Sequence, residues 1–109
     1  MNWKIRYLPE AEKDLRNLDG SNRIITIKAI RKVQNNPLPQ NEGGMGKPLG
    51  HRSDLNLTGF LKIKLKKIGI RVVYKLVRTD NVMLIVVVGI RSDDEVYKLT
   101  DQRKTKHNL

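Results

Sequence analysis

Residues Phe60 to Gly89 read FLKIKLKKIGIRVVYKLVRTDNVMLIVVVG, and this stretch decides the fold. It opens in alternation, with Leu61, Ile63 and Leu65 on one side and Phe60, Lys62 and Lys64 on the other, as in a strand whose successive side chains point to opposite faces. Lys66-Lys67-Ile68-Gly69 reads as a turn, Ile70 to Val77 as a second strand, and Arg78-Thr79-Asp80-Asn81 as a second turn. Val82 to Val88 is almost entirely apolar, the pattern of a central strand covered on both faces. If 66–69 is the turn, Leu65 pairs with Ile70 and Lys64 with Arg71. Cross-strand partners share a face, so Lys62, Lys64 and Arg71 gather on one side of the hairpin while Leu61, Ile63, Val72 and Tyr74 face the core. By the same counting, pairing 77 with 82 sets Arg71 opposite Val88. That leaves Arg91 on the other parity unless the chain kinks at Gly89.

From residue 62 to 78 the chain carries Lys62, Lys64, Lys66, Lys67, Arg71, Lys75 and Arg78 and no acid. Like charges placed opposite each other destabilise a sheet. A fold accepts that cost most readily where a polyanion sits; the plainer alternative is a solvated basic face. Composition points the same way: 22 Lys and Arg stand against 11 Asp and Glu, a formal charge of +11 on 109 residues. Such a surplus favours RNA, DNA or an acidic protein as partner.

Upstream, residues 2 to 8 read as a short strand. Pro9 opens a helix with Glu10 and Glu12 in its first turn, and Ala11, Leu15 and Leu18 share its inner face. Asp19-Gly20 breaks it, and Ser21 is expected to cap the next helix. There Ile24, Ile27 and Ile30 form a stripe widened by Ile25, Ala29 and Val33. Asn35-Asn36-Pro37 ends this helical hairpin. Residues 37 to 56, rich in Pro and Gly, read as a connecting loop. Its Gly46-Lys47 pair is followed by Pro48, where a phosphate-binding loop requires Ser or Thr. Downstream, a helix starts at Ser92 or Asp93 with Asp94 and Glu95 in its first turn, and the polar tail from Lys98 is expected to fray.

The sum is a single small α+β domain over residues 1–109. It has an N-terminal strand and helical hairpin packed on a mostly antiparallel four-stranded sheet, and a short C-terminal helix. Without cysteine, disulfides and thiolate metal sites are excluded. No carboxylate or histidine cluster stands at ligand spacing, so neither metal nor cofactor is expected. The start, Met1-Asn2-Trp3-Lys4, has no apolar run of a signal peptide behind it, and no segment is long enough to span a bilayer. The reading is a cytoplasmic protein without a membrane partner.

Lys62-Ile63-Lys64-Leu65, Gly69-x-Arg71-x-Val73-Tyr74, Val88-Gly89-x-Arg91 and Glu95-Val96-Tyr97, in that order, resemble the C-terminal signature of RelE-type toxins of the RelE/ParE superfamily. Lys47-Pro48-Leu49-Gly50 and Leu57-Thr58-Gly59 extend the likeness upstream. The resemblance implies a toxin of a type II toxin–antitoxin system, an endoribonuclease that cuts mRNA in the ribosomal A site and so inhibits translation. In that reaction the ribose 2′-hydroxyl attacks the adjacent phosphate and the 5′-oxygen leaves. It implies active residues at Lys62, Lys64, Arg71, Arg91 and Tyr97. The implied partners are a cognate antitoxin, mRNA and the ribosome, with operator DNA reached only through the antitoxin complex.

The chemistry asks for a base, charge for a phosphorane and help for a leaving oxygen. His51 and His107 lie far from the motif in sequence. Lys64, flanked by Lys62 and Lys66 and facing Arg71, is the best-placed base, because neighbouring cations disfavour its charged form. Lys62 and Arg71 would hold the phosphate, Arg91 would stabilise the leaving oxygen, and Tyr97 would stack on a base or position the sugar. Lys66, Lys67 and Lys75 extend the RNA-binding surface. Asp93 and Asp94 would repel phosphate unless the helix turns them away. Two alternatives are a ParE-like toxin that poisons DNA gyrase and a non-catalytic nucleic-acid-binding or co-repressor module.

Overall fold

The computed structural model describes residues 2–52, 54–89 and 92–109. Its sheet is organised around Val82–Gly89 (β5), whose side chains are buried at every position but Leu84. On one side β5 pairs parallel with β1 (Lys4–Tyr7), on the other antiparallel with β4 (Ile70–Val77). The order continues to β3 (Leu55–Leu65) and β2 (Lys47–Arg52), giving five strands in the order β1-β5-β4-β3-β2. Both hairpin registers expected from sequence are present: Leu65 opposite Ile70, Lys64 opposite Arg71, and Val77 opposite Val82.

The fifth strand is a departure from the four-stranded expectation. β2 lies inside the stretch read as a loop, and β3 begins at Leu55 rather than Phe60. Pro48 and Gly50 hide β2 from a strand reading. The strand is an edge, where a missing N–H is tolerated. Its register shifts between Pro48 and Gly50, and Gly50 has φ of 63°, a left-handed conformation that glycine adopts without steric cost.

A second correction concerns β5. Val73 pairs with Val87 but Tyr74 with Ile85, so Val86 is an extra residue in the ladder. The bulge shifts everything beyond it by one, and Arg71 stands opposite Gly89 instead of Val88. The parity counted from strict alternation therefore does not apply. Arg91 itself lies outside the described residues.

The helices are α1 (Pro9–Arg16), α2 (Gly20–Gln34) and α3 (Asp93–Lys106). Pro9 opens α1 as expected. α2 is capped by Asp19, whose carboxylate accepts the Asn22 N–H at 2.8 Å, rather than by Ser21. Its buried line is Thr26, Ile30 and Val33, with the Thr26 hydroxyl satisfied by the Asn22 carbonyl. Ile24 and Ile25 are 57% and 45% exposed, so the stripe drawn through Ile24 is rotated from the true one.

α3 is longer than the short helix expected and does not end near Lys98. Ser92 caps it, accepting the Glu95 N–H, and Val96, Tyr97 and Thr100 are buried against the sheet. Beyond them the polar end is held by specific bonds. Arg103 donates to Asp14 Oδ2 (2.7 Å) and to the Val86 carbonyl (2.8 Å), and Lys104 donates to the Asn56 carbonyl. His107 and Lys106 both meet Glu10.

Candidate functional site

The β3–β4 hairpin sets Lys64 opposite Arg71 and Lys62 opposite Val73. β2 then places Lys47 opposite Lys62. Lys47, Lys62, Lys64 and Arg71 therefore share one face. Lys47 was missed in the sequence because Pro48 and Gly50 break the alternation that would have put it on a strand. α3 crosses this same face. Lys62 Nζ donates to Tyr97 Oη at 2.9 Å and stands 5.5 Å from the centroid of the Tyr97 ring, a combined hydrogen bond and cation–π contact. Tyr97 is buried, so its phenol has both a packing partner and a polar anchor.

Arg71 Nε donates to Asp93 Oδ1 at 2.5 Å, with the side chains 20% and 38% exposed. Asp93 thus stands within the cationic group instead of being turned away from it. Burial pushes the Asp93 carboxyl up, but the Arg71 bond and the charges of Arg71, Lys62 and Lys64 outweigh this and hold it below the ordinary carboxylate range. The Lys64–Arg71 repulsion is accordingly offset in part by the protein's own carboxylate.

Lys66 and Lys67 are exposed in the adjoining turn. Lys75 shares the face but lies at its other end, donating to the Leu109 carbonyl oxygen at 3.1 Å and standing 5.4 Å from the Phe60 ring centroid. Arg78 is engaged by Glu42 through two bonds of 2.8 and 2.9 Å. His51 is on β2, paired with Asn56, and His107 is with Glu10. Among the described residues no three His, Asp or Glu side chains group to hold a metal ion.

The surface clefts near Pro39, Phe60 and Lys75 and near Trp3 and Asn36 include none of Lys62, Lys64, Arg71 and Tyr97. The cationic group is instead an open sheet face beside a helix, suited to an extended anionic chain rather than a small enclosed ligand. Chemically it offers ammonium and guanidinium groups for a phosphate, an aromatic ring and one carboxylate.

The comparisons agree with this architecture. The family model described as the ParE toxin of type II toxin–antitoxin systems matches residues 5–95. An Escherichia coli RelE-like toxin protein is 26% identical over 94% of this chain and 98% of its own length. Among solved structures, the E. coli toxin RelE in the free state, as an arginine-to-alanine double mutant, superposes with a TM-score of 0.72. It is 24% identical, covering 94% of this chain and 98% of that one. The toxin–antitoxin complex RelBE2 of Mycobacterium tuberculosis gives 0.66 at 21% identity, over 85% and 95% of the two chains. Fold and comparisons together define a toxin of a type II toxin–antitoxin system. The chain belongs to the ParE toxin family, within the RelE/ParE superfamily.

Proposed function

We propose that this toxin is a RelE-type endoribonuclease that cleaves mRNA in the ribosomal A site by attack of the ribose 2′-hydroxyl on the neighbouring phosphate. The observation that carries the reading is the convergence of Lys62, Lys64 and Arg71 on one hairpin face under Tyr97. Gyrase poisoning has no need of such a set, whereas phosphoryl transfer from RNA needs fixed positive charge at the phosphate. The charge comes from side chains, so the reaction is read as metal-independent. Tyr97, held by Lys62, would stack on a base or steady the ribose, and Lys66 and Lys67 would meet the flanking backbone. Arg91 is proposed to stabilise the leaving oxygen on sequence grounds alone. Nothing on the open face splays an RNA chain into line for attack. The ribosome would supply that geometry, so the reading sets the toxin's action in the cytoplasm. The solved relatives include toxin–antitoxin complexes, and a cognate antitoxin is proposed as the partner that neutralises this chain. Operator DNA would be reached only through that complex.

The ParE description of the family model favours a second reading, in which DNA gyrase is the target. Primer extension on cellular mRNA after brief induction separates the two. Cuts within codons, confined to translated regions, are expected; intact mRNA together with blocked supercoiling would overturn the ribonuclease reading.

A further inference from the structure

An anion seated among phosphate-binding cations competes with the phosphate. Asp93 is such an anion: its Oδ1 accepts from Arg71 Nε, and its charge is felt by Lys62 and Lys64 as well. Resting on the ribonuclease reading above, we propose that Asp93 is a specificity residue of this face. Its carboxylate stands in for a substrate phosphate on Arg71, turning away loose RNA and yielding to a codon that the ribosome already holds.

The contact is placed both to hold and to yield. Asp93 opens α3 directly after the Ser92 cap, and Val96 and Tyr97 in the next turn are buried against the sheet. The carboxylate is thereby tethered beside Arg71 by the fold. Of the three acids in that first turn, Asp94 and Glu95 are exposed and Asp93 alone is part-buried. A guanidinium grips a phosphate best through two parallel N–H bonds, and its Nε donor is already committed to Asp93. The Asp93 side chain is nevertheless 38% exposed, so it can swing into water. The positive end of α3 stabilises its charge after release, and exchange requires no unfolding of the helix.

Mass action then sets the selectivity. A group tethered next to its partner acts at an effective concentration of about millimolar or above. A free RNA strand brings its phosphate from dilute solution and loses Arg71 to the carboxylate. A codon fixed in the A site beside a docked toxin is tethered too, and meets Asp93 on equal terms.

The test measures binding of a short, fully 2′-O-methylated oligouridylate, which cannot be cut, across a salt series. Asp93→Asn is expected to bind it about 3- to 10-fold more tightly, a charge-assisted bond discounted for its exposure. The salt slope should steepen by about 0.7, the increment for one more cation released to a single strand. Asp94→Asn removes the same charge from the same turn and should change affinity by less than about 2-fold. In an Arg71→Ala background the gain from Asp93→Asn should vanish, since the two residues act as a pair. No tightening, a gain equal to that of Asp94→Asn, or a gain that survives Arg71→Ala each overturns the proposal. Should Asp93→Asn fail to fold, Asp93→Ser removes the same charge and is held to the same outcomes. On programmed ribosomes, the toxin concentration giving half-maximal cleavage should shift by less than about 2-fold with Asp93→Asn; a shift as large as that on the free strand overturns the selectivity for held RNA. If wild type cuts nothing on ribosomes, the ribonuclease reading falls, while the oligouridylate series still decides whether Asp93 competes for Arg71.

Discussion

Lys62 Nζ donates to Tyr97 Oη at 2.9 Å, joining β3 to α3 across 35 residues of sequence. The bond does two things at once. It satisfies a phenol that α3 buries against the sheet, and it fixes an ammonium beside the Lys64–Arg71 pair. Tyr97→Phe keeps the ring and removes only the hydroxyl, so we expect a loss of about 0.5–1.5 kcal/mol in urea-denaturation stability. Tyr97→Ala empties the site of its ring and is expected to cost about 3–5 kcal/mol. Equal losses for the two variants would show that the ring contributes nothing and that Tyr97 does not pack against the sheet.

Asp14 and Arg103 form a more buried tie between α3 and the rest of the molecule. Their side chains are 14% and 11% exposed. Asp14 Oδ2 also accepts the Val88 N–H at 3.1 Å, and Arg103 also donates to the Val86 carbonyl. The network thus sits on the β5 bulge that brings Gly89 opposite Arg71. Arg103→Met leaves a largely buried carboxylate without its cation, which costs about 3–5 kcal/mol in comparable pairs. The double replacement Asp14→Leu with Arg103→Met should recover much of that, since no lone charge then remains. Denaturation of the single and double variants checks this; a double variant as unstable as the sum of the singles would contradict it.

The hairpin face was legible because β3 and β4 obey simple alternation and their turns carry Gly69 and Asn81 in the left-handed region. Lys62, Lys64 and Arg71 could be assembled by counting alone. Three features resisted counting. Val86 adds one residue to a uniformly apolar run, where no side-chain contrast marks the slip. β2 carries a proline and a glycine that belong to edges and bulges as readily as to loops. The end of α3 is held by the carboxylates of Asp14 and Glu10 and by the Asn56 backbone carbonyl, all distant in sequence, so no local apolar period announces it.

The rotated stripe of α2 gives a direct check on packing. Ile30 is fully buried while Ile24 and Ile25 are largely exposed. Ile30→Ala should therefore cost about 2–5 kcal/mol through lost burial and a residual cavity. Ile24→Asn and Ile25→Asn should each stay within about 0.5 kcal/mol of wild type. The three isoleucines look alike in sequence, so a large cost at Ile24 would return the stripe to its sequence-based position.

Glu10 sets the acid limit of the C-terminal attachment. The His107 hydrogen bond foremost, then the residue's own backbone N–H and Lys106, hold its carboxyl at about 2, against a partly opposing burial effect. His107 Nε2 lies 2.8 and 3.0 Å from the two carboxylate oxygens, and Lys106 Nζ lies 3.2 Å from one of them. An unfolded glutamate titrates near about 4.3, above the folded value. Linkage then makes the contribution fully present above the unfolded value and progressively lost as pH falls from about 5 toward 2. Glu10→Gln cannot ionise and has no such dependence. Thermal melts of both proteins should differ most near pH 5, with wild type higher, and converge by about pH 2. A gap that persists unchanged to pH 2 would mean that Glu10 acts through packing or a neutral hydrogen bond, and not through the charge that ties the end of α3 to α1.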